Sequence, residues 1–333
     1  MKKFLSVSMA FLLSVALIGC GGQVTQPSEG AAKESKSDYP NKPINLIVSF
    51  AAGGGMDTGA RILTPYLEKE LGVTVNVINK PGGGGWIGWT DLVNAKPDGY
   101  TIGYLGTPNL MTGYLDPKQN RQHNLDSFTL IGKHVTDPGV IAIRSDESRF
   151  ADIKELIEYA KTKELTATST GVGSDDHIAA LKVNKALGTQ FTAVHTQGSA
   201  EQKTAVLGGH VDVLFANVGD VISLQKNGEV KVLAVLAEER SPFLPDVPTF
   251  EESGFESVIS SPSRGFAAPK GLDTEKLEIL RKAFENAIKQ EEQVKKQGES
   301  GLQVDYKDIA EYEQELREIE TGLIEISDLL GWK

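Results

Sequence analysis

A short apolar run, Ile44 to Phe50, stops at Gly53-Gly54-Gly55-Met56-Asp57 and gives way to a helical pattern from Thr58 to Leu71. A glycine turn between a strand and a helix start presents backbone N–H groups that have no partner inside the helix. The helix dipole at that end also favours negative charge. The turn contains no Lys or Arg, so an anion held there is held largely by backbone, which favours binding over chemistry. A second turn, Gly171-Val172-Gly173-Ser174, separates a strand pattern at 165–169 from a helix over about Asp175 to Leu187.

The rest of the chain alternates in the same way. Val73 to Ile78, Tyr100 to Leu105, Phe128 to Lys133, Gly139 to Ile143, Phe191 to His195, Val211 to Phe215 and Val230 to Ala237 read as strands. Trp86 to Ala95, Asp152 to Lys161 and Ala200 to Leu207 read as helices. This rhythm predicts a parallel α/β sheet. Ligands of open α/β sheets bind at the carboxyl ends of strands, where loops lead into helices. If the two glycine turns belong to different lobes, both helix starts face one cleft, as in a two-lobed solute-binding protein. The tail reads as helix from Asp273 to Lys296, and then Ile309, Tyr312, Leu316, Ile319, Leu323, Ile326 and Leu330 recur three and four apart. Such a stripe packs on its own domain or pairs two copies. The first is the expectation, with the chain a monomer.

The N-terminus points to a compartment. Lys2 and Lys3 precede an apolar stretch, Phe4 to Ile18, that is too short to span a bilayer and has the layout of a leader. It ends in Leu17-Ile18-Gly19-Cys20, which resembles a lipoprotein cleavage site. Cys20 is the only cysteine, so structural disulfides are excluded and its thiol is placed to take a lipid once residues 1–19 are removed. Residues 20–38 are a polar tether. The formal net charge of −11 becomes more negative when Lys2 and Lys3 leave, which argues against nucleic acid and against an anionic membrane surface.

Several catalytic motifs fail on their own residues. A P-loop needs Lys and then Ser or Thr after its second glycine, but Ala60 and Arg61 follow Gly59. Gly83-Gly84-Gly85-Trp86-Ile87-Gly88 fits the dinucleotide spacing, yet the following strand ends at Leu105-Gly106-Thr107 with no acid for a ribose. The five histidines have no metal-ligand spacing, so neither metal nor cofactor is expected. Ser174 lacks the Gly-x-Ser-x-Gly elbow and an assignable base, which leaves catalysis a poor reading. His177, in the first turn after Ser174, is either a ligand contact or a local polar contact. Asp57 is expected to cap its helix.

Taken together, these motifs resemble one family. They are Tyr39-Pro40-Asn41-Lys42-Pro43-Ile44, Phe50-Ala51-Ala52-Gly53-Gly54-Gly55-Met56-Asp57 and Asn79-Lys80-Pro81-Gly82-Gly83-Gly84-Gly85. They continue with Ser169 to Ser174 plus His177, Gly208 to Asp212, Leu244 to Thr249 and Ala267 to Gly271. From Tyr39 to the C-terminus, in this order, they are similar to the TctC/Bug family, the extracytoplasmic receptors of tripartite tricarboxylate transporters.

The resemblance implies a type II periplasmic-binding-protein fold with two α/β lobes around a Venus-flytrap cleft. The expected boundaries are 39–139 plus 264–333 for one lobe and 140–263 for the other. It implies a small organic anion, a carboxylate, held by backbone amides and waters. It also implies delivery to a membrane carrier of one large and one small subunit. The same fold without uptake, as a ligand sensor, is the alternative; a hydrolase is the less favoured one. The expected ligand contacts are Phe50, Ala51, Ala52, Gly53, Gly54, Gly55, Met56 and Asp57 from the first lobe, and Thr170, Gly171, Ser174 and His177 from the second. Thr107, Asn109 and Asn217 are expected at strand ends that line the same cleft. The chain departs from the family pattern at Ser49, at Met56, at Thr196-Gln197-Gly198 and around Ser263-Arg264-Gly265. Met56 puts a flexible apolar chain where the family has a hydroxyl.

Overall fold

The computed structural model describes residues 38–332. The expected leader, the lipidation site at Cys20 and all of the tether but Asp38 lie outside the described residues.

The first part of the chain runs β1 (Ile44–Val48), α1 (Gly55–Leu71), β2 (Val75–Asn79), α2 (Trp86–Val93), β3 (Thr101–Gly106), α3 (Asn109–Leu115) and β4 (Phe128–Thr136). It then crosses to β5 (Gly139–Arg144), α4 (Ile153–Thr162), β6 (Leu165–Ser169), α5 (Asp175–Leu187), β7 (Phe191–His195), α6 (Ser199–Leu207), β8 (Val213–Asn217), α7 (Val218–Lys226) and β9 (Val230–Leu236). It returns through β10 (Ser263–Pro269), α8 (Thr274–Ile288), α9 (Glu291–Glu299), β11 (Gln303–Val304) and α10 (Ile309–Glu325).

These strands build two sheets, ordered β11-β4-β10-β3-β1-β2 and β7-β6-β8-β5-β9. Each sheet is the centre of one α/β lobe. The expected parallel sheet is in fact two mixed ones. β1 pairs in parallel with β2 and β3, but β10 lies antiparallel between β3 and β4. β6 pairs in parallel with β7 and β8, but β5 lies antiparallel between β8 and β9. The physical reason is the same in both. β5 and β10 arrive straight from the other sheet, without the crossover helix that a parallel connection needs. The two crossings run side by side: Asp137 N donates to Pro262 O at 3.1 Å and Gly139 N to Ser260 O at 2.6 Å.

Helices on both faces bury the sheets, so β1 reads as an apolar run rather than an alternation. Leu46, Val48, Leu63, Leu67, Phe266 and Phe284 share one core of the first lobe. Ile141, Leu156, Phe191, Phe215 and Phe250 share a core of the second. The tail stripe packs on its own lobe: Tyr312, Leu316 and Leu323 of α10 are buried in one cluster with Trp86, Trp89 and Leu110. The single helix expected from Asp273 to Lys296 is two, because Gln290 takes an extended backbone between α8 and α9. Strand β10 and helices α3 and α7 have no counterpart in the sequence reading.

His134 ties α9 to the first sheet. It is fully buried on β4, with Nδ1 2.8 Å from the Tyr104 hydroxyl and Nε2 3.0 Å from the Gln293 amide. Burial, aided by the nearby Arg264 charge, holds its pKa down at about 3. Its neutral form is therefore part of the fold. An unfolded histidine takes a proton near 6.5, so this stabilising term is fully present above that pH and is lost as pH falls toward 3. At pH 5 the loss is about 2 kcal/mol. Between pH 7 and pH 5 the melting temperature should fall less in His134→Gln than in the wild type; equal falls would show that the folded imidazole titrates freely.

Candidate functional site

The site is built on the β1–α1 turn. Gly53 holds φ at 81°, a region open to glycine at little cost. Gly54 is the N-cap of α1 and has no side chain to offer the first-turn amides. Two carboxylates accept from the amides on either side of it. Asp57 Oδ2 accepts from Gly53 N at 2.9 Å, and Asp220 Oδ1, from the other lobe, accepts from Gly55 N at 2.8 Å.

Asp57 is thus not the cap that the sequence suggests. It is the third residue of α1 and reaches back to the turn while accepting from Arg61 Nε and Asn79 Nδ2, each at 2.9 Å. Burial opposes its ionisation, but the bonds from Arg61, Gly53 and Asn79 outweigh burial and hold its pKa below the usual value. Arg61 is spent on Asp57 and Asn79.

The β6–α5 turn is organised by its own side chains. Ser174 is the N-cap of α5, and its Oγ accepts from His177 N at 3.2 Å. Gly173 N donates to His177 Nδ1 at 3.0 Å, and the His177 ring stands edge-on to His195 at 4.9 Å. Burial first, and then His195, press the His177 pKa down to about 4, so the ring is neutral. His177 is therefore occupied locally, and Ser174 serves as a buried cap.

Between the turns lies a cavity of about 50 Å³. Phe50, Ala51, Gly54, Gly55, Met56 and Asn109 line it from the first lobe, and Thr170 and Asn217 from the second. Of the other expected contacts, Ala52, Gly53, Asp57, Gly171, Ser174 and His177 do not line it. Thr107 lines a different cavity of about 240 Å³, beside Asp175 and Ile326. Asn109 begins α3, and Asn217 ends β8, with its Nδ2 donating to Asp175 Oδ2 at 2.7 Å and Asp137 O at 3.1 Å. The lobes touch around the cavity. Besides Gly55–Asp220, Thr112 Oγ1 donates to Gly173 O at 2.9 Å and Lys203 Nζ to Gly53 O at 3.1 Å.

Four further residues line the cavity that were not among the expected contacts: Gly106, Ser199, Asp220 and Arg264. Arg264, on β10, is only 5% exposed and pairs through Nη2 with Asp137 Oδ2 at 2.6 Å. Asp137 Oδ1 accepts from Gly219 N at 2.9 Å. Burial pushes Asp137 up to about 7 against the pull of Arg264, and burial also raises Asp175 and Asp176. Asp57, Asp175, Asp176 and Asp220 all lie in first turns of helices, where the dipole offsets part of their charge. A charged residue inside an otherwise apolar strand is the available signal for Arg264. Among the described residues no cluster of His, Cys, Asp or Glu could hold a metal ion, and no helix is long and apolar enough to cross a membrane.

Comparison with known proteins places this geometry. The model of the tripartite tricarboxylate transporter family receptor, TctC, matches residues 60–325. A UPF0065 protein of the gbd 5′ region in Cupriavidus necator is 30% identical over 276 residues, covering 80% of each chain. The structure of the periplasmic binding protein BugD superposes with a TM-score of 0.82 at 29% identity, over 89% of this chain and 99% of BugD. MatC of Rhodopseudomonas palustris, solved with bound malate, gives 0.78 at 25% identity, over 88% of this chain and all of MatC.

Asp57→Ala strips an acceptor from Gly53 N, Arg61 and Asn79 at once. It should lower stability at pH 7 by about 1–3 kcal/mol, discounted for the half-exposed Arg61, as measured by urea denaturation. An unchanged midpoint would show that the turn holds without it.

Proposed function

The chain belongs to the TctC family of tripartite tricarboxylate transporter receptors, and on that premise we propose that it captures a small carboxylate between its lobes and delivers it to a membrane carrier of one large and one small subunit. In this reading it is an extracytoplasmic receptor held to the membrane by a lipid on Cys20, and it acts as a monomer. It is a binding protein and not an enzyme.

The observation that carries the proposal is the Asp220 carboxylate seated on the Gly55 amide at 2.8 Å, across the cleft. The amide at the start of α1 already selects an anionic oxygen, in a cavity that both lobes line. The malate held by MatC supports a ligand of that chemistry. Magnitudes favour two lobes acting together. A helix dipole contributes about 0.3–2 kcal/mol to an anion, whereas a micromolar ligand needs about −8 kcal/mol. Several charge-assisted hydrogen bonds, at about 1.5–3 kcal/mol each, must therefore converge from both sides, which couples closure to binding.

A thermal-shift screen of mono-, di- and tricarboxylates and aromatic carboxylates tests the reading. At least one should raise the melting temperature of the wild type. Gly54→Asp and Gly171→Asp should abolish that rise. A side chain at Gly54 would come within 2.7 Å of Ser199 Oγ, and Gly171 holds φ at 134°. Unchanged affinity in both variants would remove the glycine turns from the site. For the anchor, Cys20→Ser should move the protein from the membrane fraction to the soluble fraction of expressing cells; retention in the membrane would exclude lipid on Cys20 as the tether.

A further inference from the structure

Arg264 uses only part of its guanidinium. Nη2 pairs with Asp137, but Nη1 has no hydrogen-bond acceptor although the residue is 5% exposed. Nδ2 of Asn109, which is 6% exposed, also has none. Leaving a buried donor unpaired costs more than a typical hydrogen bond returns, so two such groups lining one cavity call for an acceptor from outside the chain. Both residues line the cavity between the lobes. Both unmet groups are donors, and one is charged.

Arg264 also adjoins the glycine turn. A Cβ added to Gly55 would lie 2.9 Å from Arg264 Nη1 and 3.1 Å from Asp220 Oδ1, so any side chain there would push both groups away. Asp220 occupies the Gly55 amide in this closed arrangement. The remaining 50 Å³ holds a few water molecules and not a dicarboxylate. A ligand enters only as the lobes part. Because Asp220 belongs to α7 of the second lobe, parting also withdraws it from Gly55.

We propose that Arg264 is the cationic anchor of the cleft: its free Nη1, with Asn109 Nδ2 and the Gly55 amide, receives one carboxylate of the ligand, and Asp220 is the internal anion that this carboxylate replaces. The inference rests on the carboxylate reading above and adds a side-chain charge to what was a backbone cradle. It also limits the ligand. Asp137 already shares the Arg264 charge, and Asp175 and Asp176 are buried on α5. A site with one shared cation suits a mono- or dicarboxylate and rejects a tricarboxylate. Phe50 and Met56 give that ligand an apolar wall.

Arg264→Gln alone would strand the Asp137 carboxylate, so the test pairs it with Asp137→Asn and uses Asp137→Asn as its reference. Titration calorimetry with succinate, L-malate, adipate and citrate supplies the readout. The wild type should bind at least one of the first three more tightly than citrate. On that probe, Arg264→Gln/Asp137→Asn should bind about tenfold or more weaker than Asp137→Asn, the loss of one charge-assisted bond. Asp220→Asn should bind tighter than the wild type, because a competing like charge is gone. If the paired variant stays within about twofold of its reference, Arg264 is only the partner of Asp137 and the inference fails, while the carboxylate reading stands. Weaker binding by Asp220→Asn would overturn the displaced-anion role, and tighter citrate binding would overturn the charge limit. A wild type that binds none of the four overturns the carboxylate reading itself. Should the paired variant not fold, Arg264→Lys keeps the charge beside Asp137 but loses the fork. It should then bind several-fold weaker than the wild type, and equal affinity would count against the anchor.

Discussion

Helix α1 begins with N–H donors and a cap residue, Gly54, that has nothing to give them. Buried donors of that kind must find an acceptor. Asp220 answers one of them, Gly55 N, from the opposite lobe, while Asp57 reaches back from within the helix to Gly53 N in the turn before it. The Gly55–Asp220 bond between the lobes, and the place it marks for an anionic oxygen in the cavity, stem from the Gly55 N–H.

Much of this is legible in the residues alone. The segments at 165–169 and 175–187 read correctly because Gly171 and Gly173 break the chain and Ser174 caps the helix that starts at Asp175. Helix α4 reads correctly because Asp152 precedes a strong apolar periodicity and does cap it. Phe50, Gly54, Met56 and Thr170, expected as contacts from the glycine turns and the family resemblance, lie on the wall of the cavity between the lobes.

The features that escape the sequence are non-local. The parallel reading comes from counting strands and helices, and that count does not show that β5 and β10 enter from the opposite sheet. β10 reads Ser-Arg-Gly-Phe-Ala-Ala-Pro, without alternation and with a charge inside, so it lacks a strand signature. Pro108 and Gly219 hide the starts of α3 and α7. Asp220 meets Gly55 across 165 residues of chain, a distance over which spacing carries no signal. His177 and Ser174 sit in a binding motif, yet His177 Nδ1 and Ser174 Oγ accept from amides of the turn itself.

The two crossings between the sheets, at 137–138 and 260–262, are bonded to each other through Asp137–Pro262 and Gly139–Ser260. Paired segments of this kind resist sliding and shear far more than bending. A rotation about the line on which both crossings lie is the motion that keeps both bonds intact. A molecule with a single soft coordinate converts any event in its cleft into a single geometric variable, the angle between its outer rims. A carrier that measures that angle would learn whether the cleft is filled without touching what fills it.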